Sequence, residues 1–429
     1  MSDTTIVGLT GRRVWDSRGR PTVEAEVKLA GGAGGRAIAP AGASTGSGEA
    51  VDLRDGGDRF GGHDVRSAVA NVGNRIAPAL AGLDAADQAA IDHALCELDG
   101  TPNKSRLGGN AMIAVSMAVL HATAAAANQP LWRYLSGGGA VRLPLPEIQI
   151  FGGGAHAARR VDVQDFMVVC PGAGSFAEAL DWTAEVYLAA GRLMAGAGLL
   201  RGVADEGGYW PAFDTNEATL DALLRAIETA GFTPGADIAI SLDIAASEFG
   251  HANGYRLGLE SRSLDSDGLC ALIGDWLDRY PILSVEDPLA EDDDAGMRRF
   301  TAAYGERVQI IGDDYLVTNA ARVRDAATAG ACNAVLVKPN QAGTVTEAKA
   351  ALDAARAAGW GAVVSARSGE TEDVTIAHLA VGWDVRQLKV GSFSRSERMA
   401  KWNEVLRIEE ALGSAAAFAG GSVLPAWNG

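Results

Sequence analysis

Four apolar runs in the second half of the chain end on a charged residue. They are residues 238–243 (IAISLD) ending on Asp243, 282–286 (ILSVE) on Glu286, 308–313 (VQIIGD) on Asp313 and 334–338 (AVLVK) on Lys338. A fifth, 361–366 (GAVVSA), ends on Ala366. Converging carboxylates need a cation, because like charges at close range otherwise force protonation. An oxygen-only set without His or Cys suits Mg2+ better than zinc. Lys338 is placed to act as a base, with a pKa expected to be lowered beside a metal. Lys389, ending residues 387–389 (QLK), offers a second cation for an anionic substrate. One acid at a strand end is usually a solvated charge; three in succession are not explained that way.

Two glycine-rich segments add candidates. In residues 204–208 (ADEGG) the glycines let backbone approach a ligand and leave Glu206 as a candidate general acid. Residues 151–157 (FGGGAHA) carry His156, whereas His93 and His121 fall in helical patterns and read as structural.

The strand ends at 243, 286, 313, 338 and 366 lie 25–43 residues apart, one βα unit each. That spacing predicts a parallel (β/α) barrel with its active site at the C-terminal strand ends. Helices are predicted over 175–196, 216–230, 265–279, 343–358 and 371–381, with a capping box at Thr344 and Glu347. Upstream, residues 21–29 alternate polar (Thr22, Glu24, Glu26, Lys28) and apolar, predicting a half-buried antiparallel strand. A turn at 31–35 leads to a partner strand at 36–39 and a loop at 40–46 (PAGASTG), with helices from 64 to 128. The expected division is an α+β domain over 1–138 and a barrel domain over 139–429, linked through residues 136–139 (SGGG).

Acids outnumber bases 54 to 37, a net charge of −17. That argues against nucleic acid as a partner, but not against a small anionic substrate in a locally positive cleft. Cys96, Cys170, Cys270 and Cys332 have neither metal nor redox spacing and are expected to be free thiols in a reducing compartment. The N-terminus lacks a signal-peptide pattern and no stretch reads as a membrane span, so the expected location is the cytoplasm, with no membrane partner.

Together these residues closely resemble enolase, almost end to end. The resemblance is carried by 16–24 (DSRGRPTVE), 42–46 (GASTG), 98–104 (LDGTPNK), 205–208 (DEGG), 242–249 (LDIAASEF), 365–373 (SARSGETED) and 406–410 (LRIEE). It implies an α/β enolase-superfamily fold, an N-terminal α+β capping domain plus a C-terminal ββαα(βα)6 TIM-like barrel. It implies one or two Mg2+ ions, at Asp243, Glu286 and Asp313, with Ser44 approaching the second. Lys338 would take the proton α to a carboxylate, and Glu206 and Asp165 would assist loss of the β-hydroxyl. His156, Gln164 and Lys389 would contact substrate, and Arg367 and Ser368 would hold its phosphoryl group. A homodimer, or an octamer of dimers, is implied.

This chain departs from the enolase pattern in places. Ala366 stands where enolase has histidine, and Asp165 where it has glutamate. Arg159 and Arg160 add charge after His156, and Tyr209-Trp210-Pro211 replaces Phe-Ala-Pro. The departures cluster at the phosphoryl and leaving-group ends. They raise the expectation of a repurposed relative acting on a phospho or phosphono carboxylate, such as the enolase homologues that form carboxyphosphonoenolpyruvate in antibiotic-type phosphonate biosynthesis, with Arg159 or Arg160 meeting an extra anionic group. Ordinary enolase and a metal-binding pseudoenzyme scaffold are the alternatives.

Overall fold

The computed structural model describes residues 2–251, 254–425 and 427. Three antiparallel strands open the chain: β1 (Ile6–Trp15), β2 (Pro21–Leu29) and β3 (Gly34–Ile38). The polar side of β2 is less open than its alternation predicts. Thr22 donates to the Ala39 carbonyl at 2.7 Å, and Glu24 is buried because Arg12 and Arg36 cover its carboxylate. The helix Gly109–Ala126 packs on this sheet. It is long and apolar enough to cross a membrane, but 83% of it is buried, as in a core helix. Gly35 permits the close approach, since a Cβ there would overlap the backbone of Ala118 and Ala122.

Residues 136–139 form a turn leading to the barrel. The barrel strands are β4 (Leu145–Gly152), β5 (Asp165–Val169) and β6 (Ala239–Asp243). A small side sheet follows: β7 (Gly250–His251), β8 (Gly254–Leu257) and β9 (Arg262–Leu264). The barrel resumes with β10 (Ile282–Glu286), β11 (Gln309–Gly312), β12 (Ala334–Val337), β13 (Gly361–Ser365) and β14 (Gln387–Ser392), which pairs back to β4. Strand β5 is antiparallel to both neighbours, and every other barrel pairing is parallel. Two helices, Phe176–Gly196 and Asn216–Thr229, separate β5 from β6. This is the ββαα(βα)6 arrangement. The reversal has a direct consequence: β5 begins where the other strands end, so Asp165 stands opposite Asp243 at the rim.

The helices match the sequence pattern closely, and Ser175, Thr215, Asp265 and Asn319 cap their first turns. Two details differ. The helix expected from 371 begins at Thr375, because residues 366–371 form a buried loop at the site. In the capping box, Thr344 Oγ1 accepts the Glu347 N–H at 3.2 Å, but Glu347 bonds the Thr344 hydroxyl and the Lys104 ammonium.

Candidate active site

Asp243, Lys338, Ala366 and Lys389 line a cavity of about 20 Å³ that Ser44 also borders, while Glu286 and Asp313 reach it through Lys389 and Lys338. Lys389 Nζ donates to Asp243 Oδ2 and Glu286 Oε2, both at 2.8 Å, and stands 3.6 Å from Asp165 Oδ2. Gln164 Nε2 also donates to Asp243, at 3.1 Å. Burial, followed by the Asp243 charge, pushes the Glu286 carboxyl well above the usual range. Its Oε1 is buried with no hydrogen-bond partner among the described residues. An orphaned acid oxygen beside a second carboxylate fits a hard divalent cation.

Lys338 is ion-paired to Asp313, whose other oxygen accepts from Gln341 at 2.9 Å. Burial pulls the Lys338 pKa down, but the charges of Asp313 and Glu286 together offset this and hold it above the ordinary lysine value. Asp287, unremarked in the sequence, adopts φ 41° and accepts the N–H groups of Asp313 and Asp314 at 2.9 and 2.7 Å. It thereby fixes the turn that aims Asp313. Ligand atoms of Asp287, Asp313 and Asp314 lie within 4.8 Å of one another, and burial with the Asp313 charge raises Asp314 to about 8.

On the opposite wall, His156 Nδ1 lies 3.0 Å from Asp165 Oδ1, and its Nε2 lies 3.7 Å from Glu206 Oε1. Burial disfavours the imidazolium, but Asp165 and then Glu206 more than offset this and raise His156 to about 9. Asp165 is correspondingly held below the ordinary range despite its burial. At the third wall, Arg367 reaches the Ser44 carbonyl at 3.0 Å, and Ser368 Oγ accepts the Ala43 N–H at 2.7 Å. Ala41 and Gly369 exchange backbone hydrogen bonds at 2.9 and 2.8 Å, and Arg18 holds the Ala41 carbonyl at 2.9 Å. The 41–46 loop is thus closed over the site.

The chain as a whole matches known families. The enolase N-terminal domain family matches residues 6–135, and the enolase C-terminal TIM barrel domain family matches residues 140–426. The chain belongs to the enolase family. Enolase 1 of Desulfitobacterium hafniense (strain Y51) is 49% identical over 421 residues, covering 97% of this chain and 96% of that protein. The chain is accordingly an enolase-like hydro-lyase.

Within that enolase framework the departures fall unevenly. Ala366 is buried and lines the cavity where an enolase histidine was expected. Arg159 and Arg160 do not reach the cavity: Arg159 pairs with Glu248 at 2.8 Å and Arg160 with Asp214 at 3.1 Å. Ala158 and Arg159 adopt left-handed backbone where the chain leaves the cavity. Glu49, Glu147 and Gln149 were missed in the sequence. Glu147 and Gln149 interrupt an apolar strand two residues apart, the signature of a face turned into the barrel, and that signal would have found them.

Proposed function

We propose that this protein removes water from 2-phosphoglycerate to give phosphoenolpyruvate. Lys338, released from its ion pair with Asp313 as the free amine, takes the α-proton, and Glu206, supplied with a proton by the His156 imidazolium that Asp165 holds, protonates the departing β-hydroxyl. The substrate loses one proton and one hydroxide, leaving a carbon–carbon double bond. Lys389 and Gln164 sit beside its carboxylate, and Arg367 and Ser368 hold its phosphoryl group. Asp243, Glu286 and Asp313 would hold Mg2+, with Ser44 near a second ion. When bound, Mg2+ supplies positive charge against the negative charge that builds on the carboxylate. The reading rests chiefly on one observation: Lys338 and the His156, Asp165 and Glu206 cluster border the same closed cavity. Production of phosphoenolpyruvate by purified protein with Mg2+ tests it; absence of product overturns it.

A second reading has one observation in its favour. Ala366 presents a small side chain to the cavity, which suits a larger phospho or phosphono analogue, including one leading to carboxyphosphonoenolpyruvate. Full turnover of 2-phosphoglycerate by the unaltered protein overturns this reading, and a large gain in that turnover in Ala366→His supports it. The free thiols suit a cytoplasmic setting. A homodimer or an octamer of dimers would give exposed Val7, Trp15 and Leu188 an apolar surface to bury against; sedimentation tests the assembly.

A further inference from the structure

Gln149 is fully buried inside the barrel on β4, and both ends of its amide are engaged. Its Nε2 donates to Asp165 Oδ1, and its Oε1 accepts the Gly208 N–H at 2.8 Å. Gly208 is two residues beyond Glu206, on the same short loop. The amide therefore ties the strand carrying one acid to the loop carrying the other. The fit is tight: a Cβ on Gly208 would overlap this amide, and one on Gly152 would meet it at 3.1 Å. Asp165 Oδ1 takes both Gln149 and His156, while Oδ2 has no hydrogen bond among the described residues and faces Lys389 at 3.6 Å.

We propose that Gln149 is a positioning residue that sets the separation and orientation of Asp165 and Glu206, and so governs loss of the β-hydroxyl rather than removal of the α-proton. The proposal rests on the reading that these two acids serve the leaving group. The glutamine amide gives a donor to the carboxylate on one side and an acceptor to the N–H on the other, which neither an ionised glutamate nor a leucine does. Glutamate keeps the contact to Gly208 and sets a like charge against Asp165; leucine keeps neither hydrogen bond.

The reaction separates the two steps. Reversible removal of the α-proton exchanges it with solvent, whereas product requires loss of the hydroxyl as well. In heavy water with Mg2+ and 2-phosphoglycerate, Gln149→Glu and Gln149→Leu are expected to lower product formation about tenfold to a hundredfold. Exchange into unreacted substrate and KM are expected to stay within about twofold, because the groups that bind and deprotonate substrate are elsewhere. Equal loss of exchange and product, or no loss of either, overturns the proposal. An unfolding cycle judges the bridge independently of turnover. Gln149→Asn shortens one partner and Asp165→Glu lengthens the other, so each alone lowers the melting temperature, and the pair lowers it by less than the sum. Strict additivity overturns the bridge even if the unaltered enzyme is active. Coupling in a protein that does not act on 2-phosphoglycerate retains the bridge and overturns the substrate reading instead.

Discussion

Glu49 grips Arg367 at two points, Oε2 to one terminal nitrogen at 2.8 Å and Oε1 to the other at 3.1 Å, and both side chains are buried. A carboxylate from the segment that follows the roofing loop thus occupies the guanidinium proposed to hold the phosphoryl group. Breaking a buried pair by removing one partner costs about 3–5 kcal/mol. Glu49→Ala is therefore expected to lower the melting temperature, and inorganic phosphate to restore a larger share in the variant than it adds to the unaltered protein. Equal phosphate effects on the two proteins would show that the carboxylate and the anion do not compete.

His156 carries a pH dependence. Its pKa is raised from about 6.5 to about 9 by Asp165 and Glu206 against the opposing effect of burial. A group with a raised folded pKa contributes stability that is full below its unfolded value and is lost as pH rises through the folded one. In metal-free buffer the stability advantage of the unaltered protein over His156→Gln is expected to be largest below about pH 6.5 and to fade through about pH 9. An advantage that grows with pH would contradict a cationic His156.

Mg2+ is expected to raise the melting temperature and chelation to lower it, by about 2.7 kcal/mol of stability at a hundredfold excess over Kd. In Glu286→Gln most of this gain is expected to vanish, since the orphaned Oε1 is no longer part of a carboxylate. An unchanged Mg2+ response would remove Glu286 from the metal site.

Lys338 and Glu206 are expected to separate by step. Lys338→Ala should lose α-proton exchange by a factor of about 10²–10⁴. Glu206→Gln should lose product while retaining exchange, measured on the same samples by NMR. Retained exchange in Lys338→Ala would assign the base elsewhere.

The barrel was legible because strand ends alternate with helices at a fixed spacing, and Asp243, Glu286, Asp313 and Lys338 each terminate an apolar run. Asp165 was identified by resemblance alone, since nothing in its local sequence tells that β5 runs backwards and brings it opposite Asp243. The pairing of Lys338 with Asp313 was not legible, because that contact is a tertiary fact. Arg159 and Arg160 fall outside the cavity because their partners, Glu248 and Asp214, are brought to them by the fold, which charge after a glycine-rich loop does not reveal. Glu49 is close in sequence to the loop, but its partner lies 318 residues away.

The central claim is that Lys338 and the Glu206 cluster act on one substrate across the same cavity. The most direct measurement incubates purified protein with 2-phosphoglycerate and Mg2+ in heavy water, followed by proton and phosphorus NMR. The account predicts phosphoenolpyruvate together with deuterium at the α-carbon of residual substrate, both lost in Lys338→Ala. Neither signal in the unaltered protein, or signals unaffected by Lys338→Ala, would contradict it.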